Sequence, residues 1–283
     1  MKIGLACTGG GAKAAINIGA IRALKELNIE IEAISGASIG SCVALLYVLG
    51  YSPKEMLEEF KKNIKKYGKF GFFDILLAPF SLMARGGLKN PKIICKNIEN
   101  LTQKHKVHLM EHIPIPFIIP SLDITKRESI YYSSVPMNEF TYYSDRPISE
   151  AIRSSSSIPV IFTPNRVSID KKAHYMMDGG ITSNTPVLPL KQFSDFVIGI
   201  EPKYYNTQEK QKIHFLSAFT ETFQSMRRSS LYFQKKEADL WIEVDVQKCK
   251  VFGGSNELEY CERCGYEAVM KYAKQIYERT TVA

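Results

Sequence analysis

Between Ile31 and Leu49 the chain passes from an apolar strand-like run to an apolar helix-like run across five residues, Gly36-Ala37-Ser38-Ile39-Gly40. A strand can give way to a helix over so short a distance only at a tight turn, and the two glycines keep Cβ atoms out of it. The G-x-S-x-G spacing leaves Ser38 at the tip, with the N-terminal dipole of the new helix directed at its hydroxyl. Residues 39–49 are apolar on nearly every side, which predicts a buried central helix. Upstream, residues 2–7 read as a short buried strand that runs into Gly9-Gly10-Gly11. Ala12 to Leu27 reads as a helix with Ile16, Ala20, Ala23, Leu24 and Leu27 on one face. This βαβα order predicts a parallel, right-handed, three-layered α/β architecture.

Strand signals resume at 116–123, 129–134, 174–177 (ending at Asp178), 196–200 and 240–244. Helices are expected after Pro147, over 213–236 with Phe215, Leu216, Phe219, Phe223 and Met226 on one face, and over 261–279. Residues 70–88 are very apolar but broken by Gly and Pro, so about 67–112 reads as a cap or insertion over the sheet of a single domain, 1–283. Two uses of the apolar stretch stay open. It could line an acyl-chain tunnel or dip into a lipid interface beside the basic residues at 61–69 and 85–92, or it could simply be buried against the sheet.

Composition narrows the class. A hydrophobic fraction of 45% and a charged fraction of 23% suit a globular protein with a sizeable core. The net charge of +8 fits either an anionic partner, such as an acidic membrane surface, or a lysine-rich solvated surface. No apolar run approaches the ~18 residues of a membrane span. Leu5-Ala6-Cys7 stands too near Met1 to close a secretory leader, which needs about 7–15 apolar residues. A cytoplasmic, reducing location is expected, with at most peripheral membrane contact. Six scattered cysteines make no disulfide scaffold, and Cys261-x-x-Cys264 lacks further ligands for a structural metal.

The chemistry lies in three segments. A serine hydroxyl needs a base within hydrogen-bond reach, and a tetrahedral intermediate needs donors ready for its oxyanion. Gly9, Gly10, Gly11, Ala12 and Lys13 could supply converging backbone N–H groups, with Lys13 as a nearby cation. Asp178, followed by Gly179 and Gly180, ends a later strand and can reach the carboxyl edge where Ser38 sits.

These segments resemble the patatin-like phospholipases, serine acyl hydrolases that use a Ser–Asp dyad. Gly9, Gly10, Gly11 and Lys13 match the family's G-G-G-x-[RK]-G motif, with Ala14 in place of the last glycine. Gly36–Gly40 matches its G-x-S-x-G motif at Ser38, and Asp178-Gly179-Gly180 its D-G-[GA] motif. The block Ala151–Val160, with Phe162 and Pro164, is similar as well, so the likeness runs from residue 3 to about 187. It implies a three-layer α/β/α patatin-like fold with a mainly parallel sheet and an apolar cap. It also implies hydrolysis of fatty acyl esters of phospholipid or another acyl lipid. Ser38 would be the nucleophile, Asp178 its base and the glycine loop the oxyanion hole. No metal, cofactor or nucleic acid is required, and the oligomeric state is left open.

Other readings compete. Gly9-x-Gly11-x-x-Ala14 fits a dinucleotide loop, but the second strand ends in Ser35-Gly36 rather than in the acid that a ribose needs. A Ser–His–Asp triad would have to use His214, the histidine that follows Asp178. His105, His108 and His112 cluster without thiol partners and with Glu111 alone as a carboxylate, and they read as solvated surface. Ser38 and Asp178 could also be mere turn residues of a non-catalytic lipid-binding module.

Overall fold

A computed structural model describes residues 1–67, 86–89, 92–204, 215–249 and 253–281. The strands are β1 (Ile3–Cys7), β2 (Ala33–Gly36), β3 (Gly87–Lys89), β4 (Phe117–Asp123), β5 (Glu128–Ser133), β6 (Tyr142–Tyr143), β7 (Val160–Phe162), β8 (Asn165–Ile169), β9 (Lys172–Asp178), β10 (Phe196–Pro202) and β11 (Leu240–Val244). The helices are α1 (Ile16–Glu26), α2 (Ile39–Val48), α3 (Pro53–Tyr67), α4 (Lys92–Lys104), α5 (Ile148–Ser155), α6 (Phe215–Glu237), α7 (Ser255–Met270) and α8 (Ala273–Thr281).

The main sheet has the order β11-β10-β1-β2-β4-β5-β6, and β9 joins β4 to β8. It is parallel from β11 to β4, while the β4–β5, β4–β9 and β9–β8 pairs are antiparallel. Period-2 alternation sets its two faces. Ile3, Leu5 and Cys7 of β1 enter the large core shared with α1, α2 and α7, while Ala6 faces a smaller core with Ala33, Val187, Leu190 and Val197. On the larger face α1 and α7 touch backbone to backbone. A Cβ on Gly19 would lie 1.9 Å from the Glu262 carbonyl oxygen, and one on Gly265 would lie 2.1 Å from that of Ile16.

Register explains how the sheet assembles a site. β5 occupies one edge of β4 over Ile118–Asp123. On the other edge β2 pairs only with Phe117 and Ile118, and β9 takes over at Ser121–Asp123. Because β9 runs antiparallel to β4, the carboxyl ends of β2 and β9 face each other along one edge. Asp178 therefore arrives head-on at the turn that carries Ser38. The parallel-strand argument placed Asp178 at the correct edge but by the wrong route.

Several expectations need correcting. The helix expected from Ala12 opens as a 3-10 turn, Gly11–Ala15, before α1. The C-terminal helix starts earlier, at Ser255, where Glu257 accepts the Gly254 N–H at 2.8 Å, and it divides into α7 and α8. β8 was not anticipated. It turns into β9 through Asp170 and Lys171, both at positive φ (50° and 63°), a type I′-like geometry without the usual Asn-Gly signature. On α6 the side chains of Phe215, Leu216 and Phe219 lie outside those described; of the other two residues expected on the apolar face, Phe223 is half-buried and Met226 is 49% exposed, whereas Arg227, Leu231 and Gln234 are buried. Gln234 anchors the helix by accepting the Val187 and Leu188 N–H groups at 2.9 and 3.0 Å. Of the cap expected at 67–112, residues 68–85 and 90–91 lie outside the described residues, and α4 lies against α5.

Candidate active site

Ser38 sits between β2 and α2 with φ 49° and ψ −125°. A non-glycine residue there is strained, at a cost of about 1–3 kcal/mol, and such strain persists only where the surroundings impose it. Here they do. A Cβ on Gly36 would meet the Gly40 carbonyl carbon at 2.5 Å, and one on Gly40 would meet the Thr8 carbonyl oxygen at 2.4 Å. The turn is thus wedged against the end of β1. The Ser38 N–H donates to the Ser155 hydroxyl at 3.0 Å, and the Ser41 hydroxyl donates to the Ser38 carbonyl.

Asp178 is buried, and its Oδ1 accepts the Gly180 N–H at 2.7 Å. Burial pushes its carboxyl from an ordinary 3.8 to about 6, against the opposing pull of the Gly180 N–H, the Ser38 hydroxyl and the Arg227 charge. Ser38 is thus directed at the carboxylate. No full hydrogen bond closes, because Oδ2 is buried and has no hydrogen-bond partner. Loose nucleophile–base contacts of this kind are common in unliganded active sites.

The serine block at the end of α5 holds both groups. Ser155 accepts from the Ser38 backbone, and the Ser157 carbonyl accepts the Asp178 N–H at 3.0 Å. Arg153, also buried, donates to the Ser157 hydroxyl and, at 2.8 Å, to the Thr163 carbonyl. Burial lowers its guanidinium to about 10. Sequence reading singled out this block without giving it a task; its task is to brace both halves of the site.

The glycine loop divides in function. The Gly9 N–H donates to the Asn184 carbonyl at 3.1 Å, so it is not free for an oxyanion. A Cβ on Gly9 would lie 3.3 Å from that of Ser38, so this glycine provides close approach instead. Gly10 and Gly11 have φ 136° and 62°, which only glycine adopts readily, and they aim the backbone into the first turn of Gly11–Ala15. The N–H groups of Gly11 and Ala12 precede the first intrahelical bond and remain available. The Lys13 charge bears on the Cys249 and Cys261 thiols, which lie against each other. The cation near Asp178 is Arg227.

Beneath the loop lies a buried network that the sequence did not reveal. Glu201, at the end of β10, accepts from Thr8 at 2.6 Å, Tyr204 at 2.7 Å, Asn184 at 3.2 Å and Thr185. Burial raises its pKa. These bonds tie the glycine loop to the segment after Asp178.

The histidines among the described residues stand apart from this arrangement. His214 lies outside the described residues. His174 is buried 2.6 Å from Asp123, a pairing unforeseen from sequence, but it precedes Asp178 by four strand residues, or about 13 Å. Among the described residues no group of His, Cys, Asp and Glu could hold a metal ion, and no helix is long and apolar enough to cross a membrane.

Comparison with known proteins agrees with this architecture. Residues 5–191 match the family Patatin, described as patatin-like phospholipase, and the chain belongs to that family. It is 28% identical over 189 residues to an uncharacterized NTE family protein of Mycobacterium tuberculosis, a match covering 67% of this chain and 45% of the relative. The chain thus spans less than half the length of that relative. It is 26% identical over 235 residues to a protein of Invertebrate iridescent virus 6 named probable lipid hydrolase, covering 80% of this chain and 72% of that one. VipD from Legionella pneumophila shares the fold with a TM-score of 0.56 at 16% identity, over 97% of this chain and 67% of VipD. The fold is the mainly parallel, helix-flanked patatin arrangement.

Proposed function

We propose that the chain hydrolyses fatty acyl esters of phospholipids or lysophospholipids through a Ser38–Asp178 dyad. The observation that carries this reading is the pairing of a strained serine with a buried carboxylate whose pKa, about 6, suits a base at neutral pH. Asp178 takes the Ser38 hydroxyl proton as Oγ attacks the ester carbonyl carbon. The free N–H groups of Gly11 and Ala12 stabilise the resulting oxyanion. Collapse expels the lipid alcohol, which takes the proton back from Asp178 and leaves an acyl-serine. A water then repeats the sequence and releases the fatty acid. Membership of the patatin-like phospholipase family and the viral relative's name support a lipid substrate.

Mass spectrometry of products from a mixed lipid extract, comparing wild type with Ser38→Ala, tests the proposal. Fatty acid release by wild type alone is expected, together with labelling of Ser38 by a fluorophosphonate. More than a few per cent residual hydrolysis in a folded Ser38→Ala variant refutes the assignment.

A further inference from the structure

Arg227 lies on α6, beyond the residues that match the family, and it is 8% exposed. Its guanidinium reaches both loops of the candidate active site. Nη2 lies 3.9 Å from where a Gly10 Cβ would stand, and Nε lies 3.8 Å from where a Gly180 Cβ would stand. Such a deeply buried guanidinium is costly unless its donors are used. Yet among the described residues Nε–H is buried without a hydrogen-bond partner, and Nη1 reaches only Gln224, at 3.3 Å.

A countercharge for the two nearby carboxylates is the plainer explanation, and it leaves these donors unexplained. Among the described residues Arg227 closes no ion pair. Glu201 is already occupied by Thr8, Thr185, Asn184 and Tyr204, and Asp178 faces Ser38 and Gly180. Among the described residues the fork therefore keeps donors unused between the glycine loop and the Asp178 loop. Gly9 abuts Ser38 and the next residue, Gly10, lies beside Arg227, so nucleophile and guanidinium flank neighbouring residues of one loop. An arginine fork matches phosphate oxygens in shape and charge. In a glycerophospholipid a phosphate sits a short glycerol spacer away from the ester carbonyl.

Resting on the function proposed above, we propose that Arg227 binds a phosphate group of the substrate and thereby selects phosphate-bearing acyl esters over neutral ones. The headgroup phosphodiester and free phosphate share this chemistry, so both enter the test.

The test has an activity arm and a binding arm. For activity, kcat/KM is measured on a monoacyl glycerophosphocholine and on the neutral monoacylglycerol of the same chain. In Arg227→Gln the ratio of the first to the second is expected to fall at least tenfold. In Arg227→Lys, which keeps the charge but loses the fork, it falls less, and this variant serves alone if the glutamine variant does not fold. For binding, which needs no chemistry, the Ser38→Ala protein is titrated with glycerophosphocholine and with inorganic phosphate. Adding Arg227→Gln or Arg227→Lys should weaken binding, tenfold or more for Gln. Loss of glycerophosphocholine binding alone assigns a headgroup site, and loss of both assigns a general phosphate site. An unchanged ratio with unchanged binding overturns the inference and leaves ester hydrolysis intact. Equal loss on both esters with unchanged binding also overturns it, because Arg227 then serves the dyad or the fold. If wild type cleaves no ester yet Arg227-dependent phosphate binding persists, the hydrolase reading fails and the anion site stands.

Discussion

Replacing Asp178 by Asn should remove activity while abolishing a loss of stability that the wild type suffers as pH rises. The folded carboxyl titrates near 6 and the unfolded one near 3.8, a gap of about 2 units. At ~1.36 kcal/mol per unit, ionising this one buried group costs the fold about 3 kcal/mol. The sign follows from proton counting. Between about pH 4 and pH 6 the folded protein keeps a proton that the unfolded chain has released. Wild-type stability due to this group is therefore fully present below pH 4 and is lost as pH rises through 6. Asn carries no titrating proton, so Asp178→Asn escapes that loss. Its own packing cost, including an amide N–H where Oδ2 already lacks a partner, is independent of pH.

The assay is urea unfolding of both proteins from pH 4 to 8. The stability difference, variant minus wild type, should rise by about 3 kcal/mol across that range, mostly between pH 4 and 6. Taking the difference cancels the titration of other groups. A base must be ionised to act, so wild-type hydrolysis should climb about tenfold per pH unit below 6 and level off above about 7. A pH-independent difference in stability, or activity that is flat down to pH 4.5, would refute the claim that burial raises this carboxyl.

Three further outcomes are expected. Ser38→Gly should be about 1 kcal/mol more stable than Ser38→Ala, both being inactive, because glycine relieves the positive φ; equal unfolding midpoints would deny the strain. Gly19→Ala should destabilise by at least about 1–3 kcal/mol in thermal or urea unfolding, since its Cβ would press 1.9 Å from the Glu262 carbonyl oxygen and force α1 from α7. Hydrolysis of anionic vesicles should fall with added salt and on neutralising Lys62, Lys65 and Lys66, each contributing about 1 kcal/mol near an acidic surface, while a small soluble ester is spared. Lys61 is left in place because it bridges to Glu259 of α7 at 2.7 Å. Equal loss on both substrates rules out interfacial docking.

The parts of the fold set by local pattern could be read from the sequence. The apolar run of β1, the glycine-flanked turn at Ser38 and the apolar surface of α2 each announce their element, and β11 falls at the expected residues. Elements fixed by distant partners could not. β8 is short, with only Val167 and Ile169 alternating against polar neighbours, and is held by β9, and the direction of β9 depends on the edge of β4 that β2 leaves vacant. The burial of Gln234 on α6 is illegible for a related reason: its side chain is fixed by backbone N–H groups of a distant segment, which apolar periodicity cannot register. The dyad candidates were legible because each sits in a short glycine-marked motif. Their supports, Ser155, Ser157, Asn184 and Glu201, were not, since each acts through a backbone or side-chain contact far away in sequence.

The same separation bears on how the site can work. Ser38 sits at a strained φ, Asp178 is ionised in a buried place with Oδ2 unpartnered, and Arg227 keeps a buried donor unused. Each of these opposes folding, by about 1–3 kcal/mol apiece on ordinary grounds. Each is also the feature that an ester hydrolase needs: a nucleophile held at the tip of a tight turn, a base with a pKa near neutrality and a cation with a donor to offer an anion. The segments that carry them, the β2–α2 turn, the end of β9 and the middle of α6, come from three distant parts of the chain. Other contacts hold them in place, among them the α1–α7 glycine crossing, the Glu201 network and the Gln234 anchor. The stability that these contacts provide offsets the strain concentrated between them, so loosening any one of them should blunt activity before it unfolds the protein.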